Sequence, residues 1–432
     1  MTSLRVQFRD AVRRLPDTHV AVHSAALITT WIITAATGII FWSIAARVMS
    51  PERLGVDTAV ISLISTAGIV AATGTANSFV ALLPAPGCDR QKRLADGYLI
   101  VGLLSTVIGA AMGVVASATL HLDLVTAMCW TTVGSVAAAV YILKDSALVG
   151  LGGTPKLLGL NLGASIGKIG LVLLLTSQVS HPAVLATVVS SAVASTVALG
   201  VVIPRLLSSS TSDSSAGAAS GPTRRDLAIF SVRDGAGSAM ANGVFLILPF
   251  LTTWIAGAIQ GAVVALTLSF SLSLELVSGG VGTALTAGLS ASPERLWERG
   301  RRAWLITQAI AMVTALGLVV AGPAVVAILG AQYQHLPVVS VLVILTAGSV
   351  ARVPFVIWSS VVRAMGRTGS ILLTNAFGTA LAIPLIIWCT MQWGAVGAAV
   401  GLSIASTATG FIGAVGILTN ERSAIHPSKN RA

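Results

Sequence analysis

The sequence predicts an all-α membrane protein with about twelve transmembrane helices, and three observations lead to this fold class. Mean hydropathy is +0.89, and 55% of the 432 residues are hydrophobic. Only 9% of the residues are charged, whereas soluble domains usually carry about 25%. Apolar runs of roughly 20 residues, the length that crosses a bilayer, recur along the whole chain.

The apolar runs follow one another with short connections, too short on one side of the membrane to hold a catalytic domain. The first run is too long for a cleavable signal peptide, so we expect it to remain as a span. In chain order, the predicted spans are 24–48, 57–83, 97–120, 125–143, 157–177, 183–203, 227–256, 262–289, 303–328, 337–362, 370–389 and 395–418.

The positions of lysine and arginine predict the orientation, because short cytoplasmic loops carry most basic residues. Counting connections alternately from Met1–His23 places about 21 basic residues on the side of the N-terminus. Lys144 and Lys156 are counted among them, as residues of one cytoplasmic loop. Both termini are therefore predicted to be cytoplasmic, and the net charge of +11 is ascribed to these loops and not to nucleic-acid binding.

Two pairs of short strings predict that the chain is an internal duplication. Gly74-Thr75-Ala76 matches Gly282-Thr283-Ala284, and Gly152–Asn161 matches Gly366–Asn375 at a similar offset. Six spans are an even number, so both copies would point the same way, as parallel repeats do. The predicted organisation is a cytoplasmic N-terminal segment (1–23), a first six-helix bundle (24–203), a cytoplasmic Ser-rich linker (204–226), a second six-helix bundle (227–418) and a cytoplasmic tail (419–432).

Polar and charged side chains inside the predicted spans are the candidate functional residues. Charges within a membrane are costly, so they usually face a protein interior or a water-filled cavity. The stretch Phe230–Asn242 is the most unusual, because it places two charges and an amide at the start of the seventh span. The full set is Lys168, Arg233, Asp234, Asn242, Glu275 and Arg352.

Two interpretations of these residues stay open. In the first, Arg233, Arg352, Lys168 and Asn242 bind an anionic substrate, since guanidinium groups pair with phosphate in bidentate geometry. Glu275 and Asp234 would then be candidates for ion coupling. In the second interpretation, the charges form internal salt bridges that fix helix packing, for example between Glu275 and Arg352. Arg233 and Asp234 could also be interfacial residues.

Other classes of site are not supported by the sequence. Cys88, Cys129 and Cys389 are widely separated, which fits neither a disulfide framework nor a metal cluster. The string GASIGK, which ends at Lys168, has the wrong glycine spacing for a phosphate-binding loop and lies within a span. We therefore predict no cofactor, no metal site and no enzymatic activity.

Two regions of the sequence resemble a known superfamily. The first, Thr37–Pro84, contains AARVMSPERLG and GTA; the second, Ile328–Leu402, contains ILGAQYQHLP, VVRAMGRTGSILLTN and WGAVGAAVGL. Both are similar to polysaccharide flippases of the O-antigen type, in the multidrug/oligosaccharidyl-lipid/polysaccharide (MATE-like) superfamily. The matching strings mark turns and packing positions in both halves of the chain and do not identify a substrate.

The resemblance implies a flippase that moves a lipid-linked oligosaccharide, or a related glycolipid precursor, across a bacterial cytoplasmic membrane by alternating access. Its implied partners are a polyprenyl-(pyro)phosphate-linked glycan and membrane lipid, with glycosyltransferases or a polymerase as further candidates. The alternatives are a MATE-like exporter of small cations or drugs and a non-transporting scaffold for glycan-assembly enzymes. A membrane glycosyltransferase is a third alternative, which would need acidic residues in external loops.

Overall fold

The computed structural model describes residues 18–83, 89–210, 224–291, 296–365 and 368–425, and no strand occurs among them. A π-helical segment, Ala198–Val202, joins α6 to α7, and a short 3₁₀ turn, Ala331–Tyr333, lies between α11 and α12. The helices are α1 (Thr18–Val48), α2 (Pro51–Leu82), α3 (Arg90–Leu120), α4 (Leu124–Gly150), α5 (Pro155–Leu175), α6 (Pro182–Val197), α7 (Ile203–Ser210), α8 (Arg224–Ala256), α9 (Ala258–Ala291), α10 (Leu296–Val320), α11 (Gly322–Leu329), α12 (Val338–Ala364) and α13 (Thr368–Ile425).

These helices confirm the predicted fold class of a multi-pass all-α membrane protein. Within the described ranges, ten helices are long and apolar enough to cross a membrane. The long helix α13 holds two of the predicted spans, because its backbone leaves helical geometry at Trp393 and Gly394. Gly394 has a φ of 57°, a value that glycine adopts without steric cost. The apolar stretch Ile32–Val48 of α1 lies within the first predicted span but is shorter than those ten helices. The orientation in the membrane stays a prediction.

Three short polar segments between the predicted spans form the N-terminal caps of helices. The Ser50 side chain accepts a hydrogen bond from the Arg53 backbone N–H, and Pro51 occupies the first helical position of α2. Asp89 and Asp123 cap α3 and α4 in the same way. Side-chain oxygens at this position satisfy backbone donors that have no partner within the helix. The SPER string thus marks where the chain re-enters the membrane.

The helices form two bundles that meet along α2, α8 and α9. In the first bundle, α2 and α3 pack on α4, and α1 and α6 pack on α5. In the second bundle, α12 packs against α9, α10 and α13, and α8 packs on α13. Between the bundles, α2 contacts α8 and α9. Three glycines permit this contact: Gly74 lies against Gly235, and Gly55 lies against the backbone of Ala258.

Some boundaries of the predicted segments differ from the observed helices. The predicted linker 204–226 begins within helix, because α7 continues to Ser210, and α8 starts at Arg224. Residues 211–223 lie outside the described part of the chain, as do residues 1–17 and 426–432. The predicted tail, 419–432, also begins within α13, which ends at Ile425.

Lys144 corrects the loop assignment made from charge. It was predicted to lie in a cytoplasmic loop, but α4 continues to Gly150 and the Lys144 side chain is fully buried. A rule that counts lysines cannot distinguish a solvated lysine from a buried one that is paired with a carboxylate and an amide, here Asp145 and Asn161. The prediction for Lys144 was therefore wrong.

The glycines spaced four residues apart behave differently in the two bundles. The spacing of Gly159, Gly163 and Gly167 on α5 predicts close helix packing. A Cβ atom added at any of them meets no atom of the described residues within 4 Å, so that prediction was wrong. In α13, by contrast, a Cβ on Gly401 would lie 2.7 Å from the Ile386 Cα, which confirms close packing there.

This contrast predicts opposite outcomes for one substitution. Gly401→Leu should destabilise the protein by about 1–3 kcal/mol or more, because the new side chain meets backbone that cannot move aside. Gly163→Leu, its matched control on α5, should unfold at the wild-type temperature. Thermal unfolding of the detergent-solubilised protein measures both, and equal losses of stability would contradict the packing described here.

Candidate functional site

The central feature of the second bundle is a buried ion pair between α12 and α9. Arg352 Nη1 donates to Glu275 Oε2 at 3.1 Å, and the two side chains are 12% and 15% exposed. The guanidinium also lies over the ring of Phe245, 4.5 Å from its centroid. The carboxylate and the ring together compensate the positive charge in a largely apolar surrounding.

The pair leaves hydrogen-bonding capacity unused. Glu275 Oε1 is buried and has no hydrogen-bond partner among the described residues. A guanidinium has five N–H donors, and the structure assigns one of them to Glu275. An unsatisfied buried carboxylate oxygen is costly, so this pair is more typical of a site that exchanges partners than of a closed structural bridge.

A cleft of about 340 Å³, partly open to its surroundings, lies beside Arg352, between α8, α12 and both halves of α13. Most of its wall is apolar, including Phe245 and Phe355. The polar groups of the wall are Arg352, Asn375, Thr379, Ser406 and Thr409. A mostly apolar cleft with a few convergent polar groups is the usual form of a ligand site.

Asn375 is fixed within this wall. It is buried, and its Nδ2 donates to the backbone oxygen of Gly237 on α8 at 3.0 Å. The bond joins α13 to α8 and holds the amide at the edge of the cleft. The structure thus brings Arg352 and Asn375 into one cleft, with Glu275 behind the arginine.

Asn242 lies on α8 next to the cleft but is not part of its lining. It is exposed. Gly235 and Thr253 are each close to a whole number of helical turns away from Asn242, so the three residues lie on the same face of α8. Gly235 contacts Gly74, and Thr253 Oγ1 donates to the Gly55 oxygen at 3.4 Å. Asn242 therefore lies on the face of α8 that meets the first bundle, between two points of contact.

Lys168 does not share the cleft with Arg352. Its Nζ lies 3.8 Å from the centroid of the Phe41 ring and 5.3 Å from that of Trp42, both on α1. These contacts place the ammonium within the first bundle, between α5 and α1. The structure therefore does not bring Lys168 and Arg352 into one site.

Arg233 and Asp234 were predicted to belong to the substrate and ion-coupling sites, respectively. Their backbone lies in α8, but their side chains are outside the described residues. Their predicted roles stay predictions.

The first bundle holds a second ion pair, between a fully buried lysine and a partly exposed aspartate, that the sequence did not predict. Lys144 Nζ donates to Asp145 Oδ1 at 2.5 Å and to Asn161 Oδ1 at 2.7 Å. The Tyr141 hydroxyl donates to the same amide oxygen at 2.9 Å, and Asn161 Nδ2 donates to Asp145 Oδ2 at 3.3 Å. The lysine also lies 3.6 Å from the Tyr141 ring centroid. These four residues form a closed network between α4 and α5, which we call the first-bundle network.

One signal for the first-bundle network was present in the sequence. The repeated strings end at Asn161 and Asn375, and both asparagines are 6% exposed. Each bundle therefore places a buried asparagine at the repeated position, with a buried cation from the preceding span nearby. The two cations differ in whether a ligand can reach them. Lys144 is fully buried among its partners, whereas Arg352 lines a cleft.

Comparison with known proteins identifies the fold. Neither family models nor curated protein sequences match the chain. Several solved structures match it. The inward-facing conformation of a multidrug-resistance MATE transporter of the MOP superfamily is 15% identical, with a TM-score of 0.63, over 91% of this chain and 96% of that one. An outward-facing conformation of such a transporter is 16% identical, with a TM-score of 0.62, over 94% and 97%.

A third structure is a MOP superfamily transporter from Pyrococcus furiosus, 15% identical with a TM-score of 0.50, over 94% of this chain and 95% of that one. At these identities the likeness establishes the fold alone. The chain has the fold of MATE transporters of the MOP superfamily, which confirms the superfamily-level fold that the sequence predicted.

Proposed function

We propose that this chain is a membrane transporter, and not an enzyme, that moves a lipid-linked oligosaccharide or related glycolipid precursor by alternating access. Its fold is shared with transporters described as inward-facing and outward-facing. Two similar bundles in contact along α2, α8 and α9 suit a mechanism in which each moves as a unit about a central interface.

The observation that carries the choice of cargo is the position of Arg352. A cation inside a membrane, with donors to spare and a cleft beside it, is suited to an anionic group such as a phosphate. Asn375 and the neighbouring hydroxyl groups offer hydrogen bonds of the kind that sugars accept. The cleft is small, so it would take only the phosphate-bearing end of the cargo and not a whole oligosaccharide.

The other predicted residues keep proposed roles outside this cleft. Asn242 would meet cargo at the interface between the bundles, and Lys168 and Arg233 would supply further positive charge along the path. Glu275 and Asp234 remain the candidates for ion coupling. The proposed setting is a bacterial cytoplasmic membrane, with a polyprenyl-(pyro)phosphate-linked glycan as cargo and glycosyltransferases or a polymerase as partners.

A second candidate function is the export of an organic cation. Glu275 favours it, because its buried Oε1 has no partner among the described residues and would accept a cation. Two of the neighbours are described as multidrug-resistance transporters. The Pyrococcus furiosus neighbour is described as having a binding pocket of reverse polarity that suggests a different function, which illustrates that this fold does not determine the charge of its cargo.

Transport by the purified protein in proteoliposomes separates the two functions. A fluorescent polyprenyl-pyrophosphate oligosaccharide, assayed by its accessibility to a membrane-impermeant quencher, should change leaflet much faster than in protein-free liposomes. A fluorescent organic cation should show no protein-dependent efflux. The opposite pattern would assign the protein to cation export and overturn the proposal, and no protein-dependent movement of either would overturn both transport functions.

A further inference from the structure

Two helix ends, one from each bundle, meet on the side of the membrane that is predicted to be external. They are the ends of α1 and α11. The last carbonyl groups of a helix have no partner within it and must bond elsewhere. Here Arg47 of α1 donates from Nε to the Ile328 oxygen at 2.7 Å and from Nη2 to the Ala327 oxygen at 3.2 Å. A side chain of the first bundle therefore caps a helix of the second.

The reverse arrangement occurs at the same place. Gln332, which follows α11, donates from Nε2 to the carbonyl oxygens of Ala46 and Met49, the latter at 3.0 Å. A side chain that belongs to the second bundle thus caps the end of α1. We call the four bonds made by Arg47 and Gln332 the reciprocal caps.

The backbone is also closed at this side. Gly55 at the start of α2 lies against the backbone of Ala258 at the start of α9, with no room for a side chain between them. Leu329, which follows the capped carbonyl groups, and Tyr333, which follows Gln332, are fully buried. The contact is therefore a packed closure and not a pair of isolated surface bonds.

Comparable bonds nearby stay within one bundle. Arg53 donates to the carbonyl oxygens of Thr176, Val179 and Ser180 at the end of α5, all in the first bundle. Gln260 of α9 accepts a bond from the Ala395 N–H of α13, both in the second bundle. One arginine and one glutamine thus link the bundles, while another of each fixes a single bundle.

We propose that the reciprocal caps are the latch of an outer gate, which holds the bundles together on the predicted external side and opens during transport. This inference rests on the alternating-access part of the proposed function. Arg47 is exposed and its acceptors are helix-end carbonyls, so water replaces the bonds when the bundles separate. Because water takes the place of the broken bonds, the reciprocal caps favour the closed state by only a small free-energy difference. A gate that opens and closes reversibly requires such a small difference.

A reporter cysteine tests the gate without added cargo. Ala262 is fully buried one helical turn inside Ala258, on the helix that contacts the first bundle. Ala262→Cys, in a chain whose Cys88, Cys129 and Cys389 are serine, would react with a membrane-impermeant maleimide only when the gate is open. The rate is measured in right-side-out membrane vesicles from the expressing cells.

The double variant Arg47→Ala, Gln332→Ala should be labelled at least about tenfold faster than the parent, a shift that the loss of four hydrogen bonds can supply. The matched double variant Arg53→Ala, Gln260→Ala loses the same residue types from bonds within each bundle and should be labelled at the parent rate. Thermal unfolding of all three proteins identifies general loss of structure.

Equal acceleration in both double variants, or none in the first, would overturn the gate. Because the assay measures access to Ala262→Cys and not movement of an added cargo, it can fail while the transport assay succeeds, and the reverse. A failure of oligosaccharide transport with selective labelling would remove the proposed cargo and keep the gate.

Discussion

Replacing Arg352 with alanine is expected to abolish transport and to destabilise the protein. Removal of one partner of a buried ion pair leaves an uncompensated charge, here Glu275, at a cost of about 3–5 kcal/mol. Transport should fall by at least about tenfold, because a charge-assisted hydrogen bond to the cargo contributes about 1.5–3 kcal/mol. Arg352→Lys should keep part of the activity, since lysine retains the charge but loses the planar, bidentate geometry. Flipping in proteoliposomes and thermal unfolding in detergent measure the two effects.

A double variant separates a cargo-binding arginine from one that only fixes helix packing. Arg352→Met combined with Glu275→Gln removes both charges, so stability should return to near the wild-type value. Transport should stay lost, because the cleft then has no cation. Recovery of transport together with stability would show that the pair is purely structural. Arg363→Ala, at the exposed end of the same helix, is the matched control and should leave transport unchanged.

Asp145→Asn should be the most destabilising single change in the first bundle. Lys144 is fully buried, and Asp145 supplies its only anionic partner among the described contacts. The variant leaves the buried ammonium with neutral partners only, which is expected to cost about 3–5 kcal/mol. The melting temperature of the detergent-solubilised protein, or its yield in the membrane, measures the loss.

The matching double variant, Lys144→Met with Asp145→Asn, should recover most of that stability and should also transport at the wild-type rate. Lys156→Met is the control for loss of a cation, because Lys156 is exposed near the start of α5. A double variant that is stable but inactive would contradict our assignment, since it would give the first-bundle network a part in transport. The two ion pairs thus differ in one measurable respect. Neutralising the Arg352 pair should restore stability without transport, whereas neutralising the Lys144 pair should preserve both.

Much of the fold follows from local features of the sequence. Every predicted span corresponds to helix, because a segment that crosses a bilayer must satisfy its backbone hydrogen bonds internally, whatever surrounds it. The Ser50–Pro51 string starts α2 for an equally local reason, since its side chain bonds to the backbone of its own helix. Lys144 was misplaced because the end of α4 depends on partners from α5, which are distant in sequence.

The candidate site could be predicted only in part. Intramembrane charge pointed to Glu275 and Arg352, and their pairing was one of the interpretations considered. Lys168 carries the same signal but lies against α1 and outside the cleft. Nothing in the repeated string placed Asn375 in a cleft beside Arg352. The reciprocal caps were not foreseen, because their acceptors are backbone carbonyls, which every residue has.

The sequence by itself determined that this protein is an all-α protein with many membrane-spanning helices, because hydropathy and helix length are properties of single segments. Only the tertiary structure decided which charges meet, which glycines pack and which helix ends cap one another. These outcomes depend on the rotation of each helix about its axis and on contacts between the bundles. Composition and spacing leave both undetermined, since a turn of about 100° per residue moves a side chain from a cleft to the lipid.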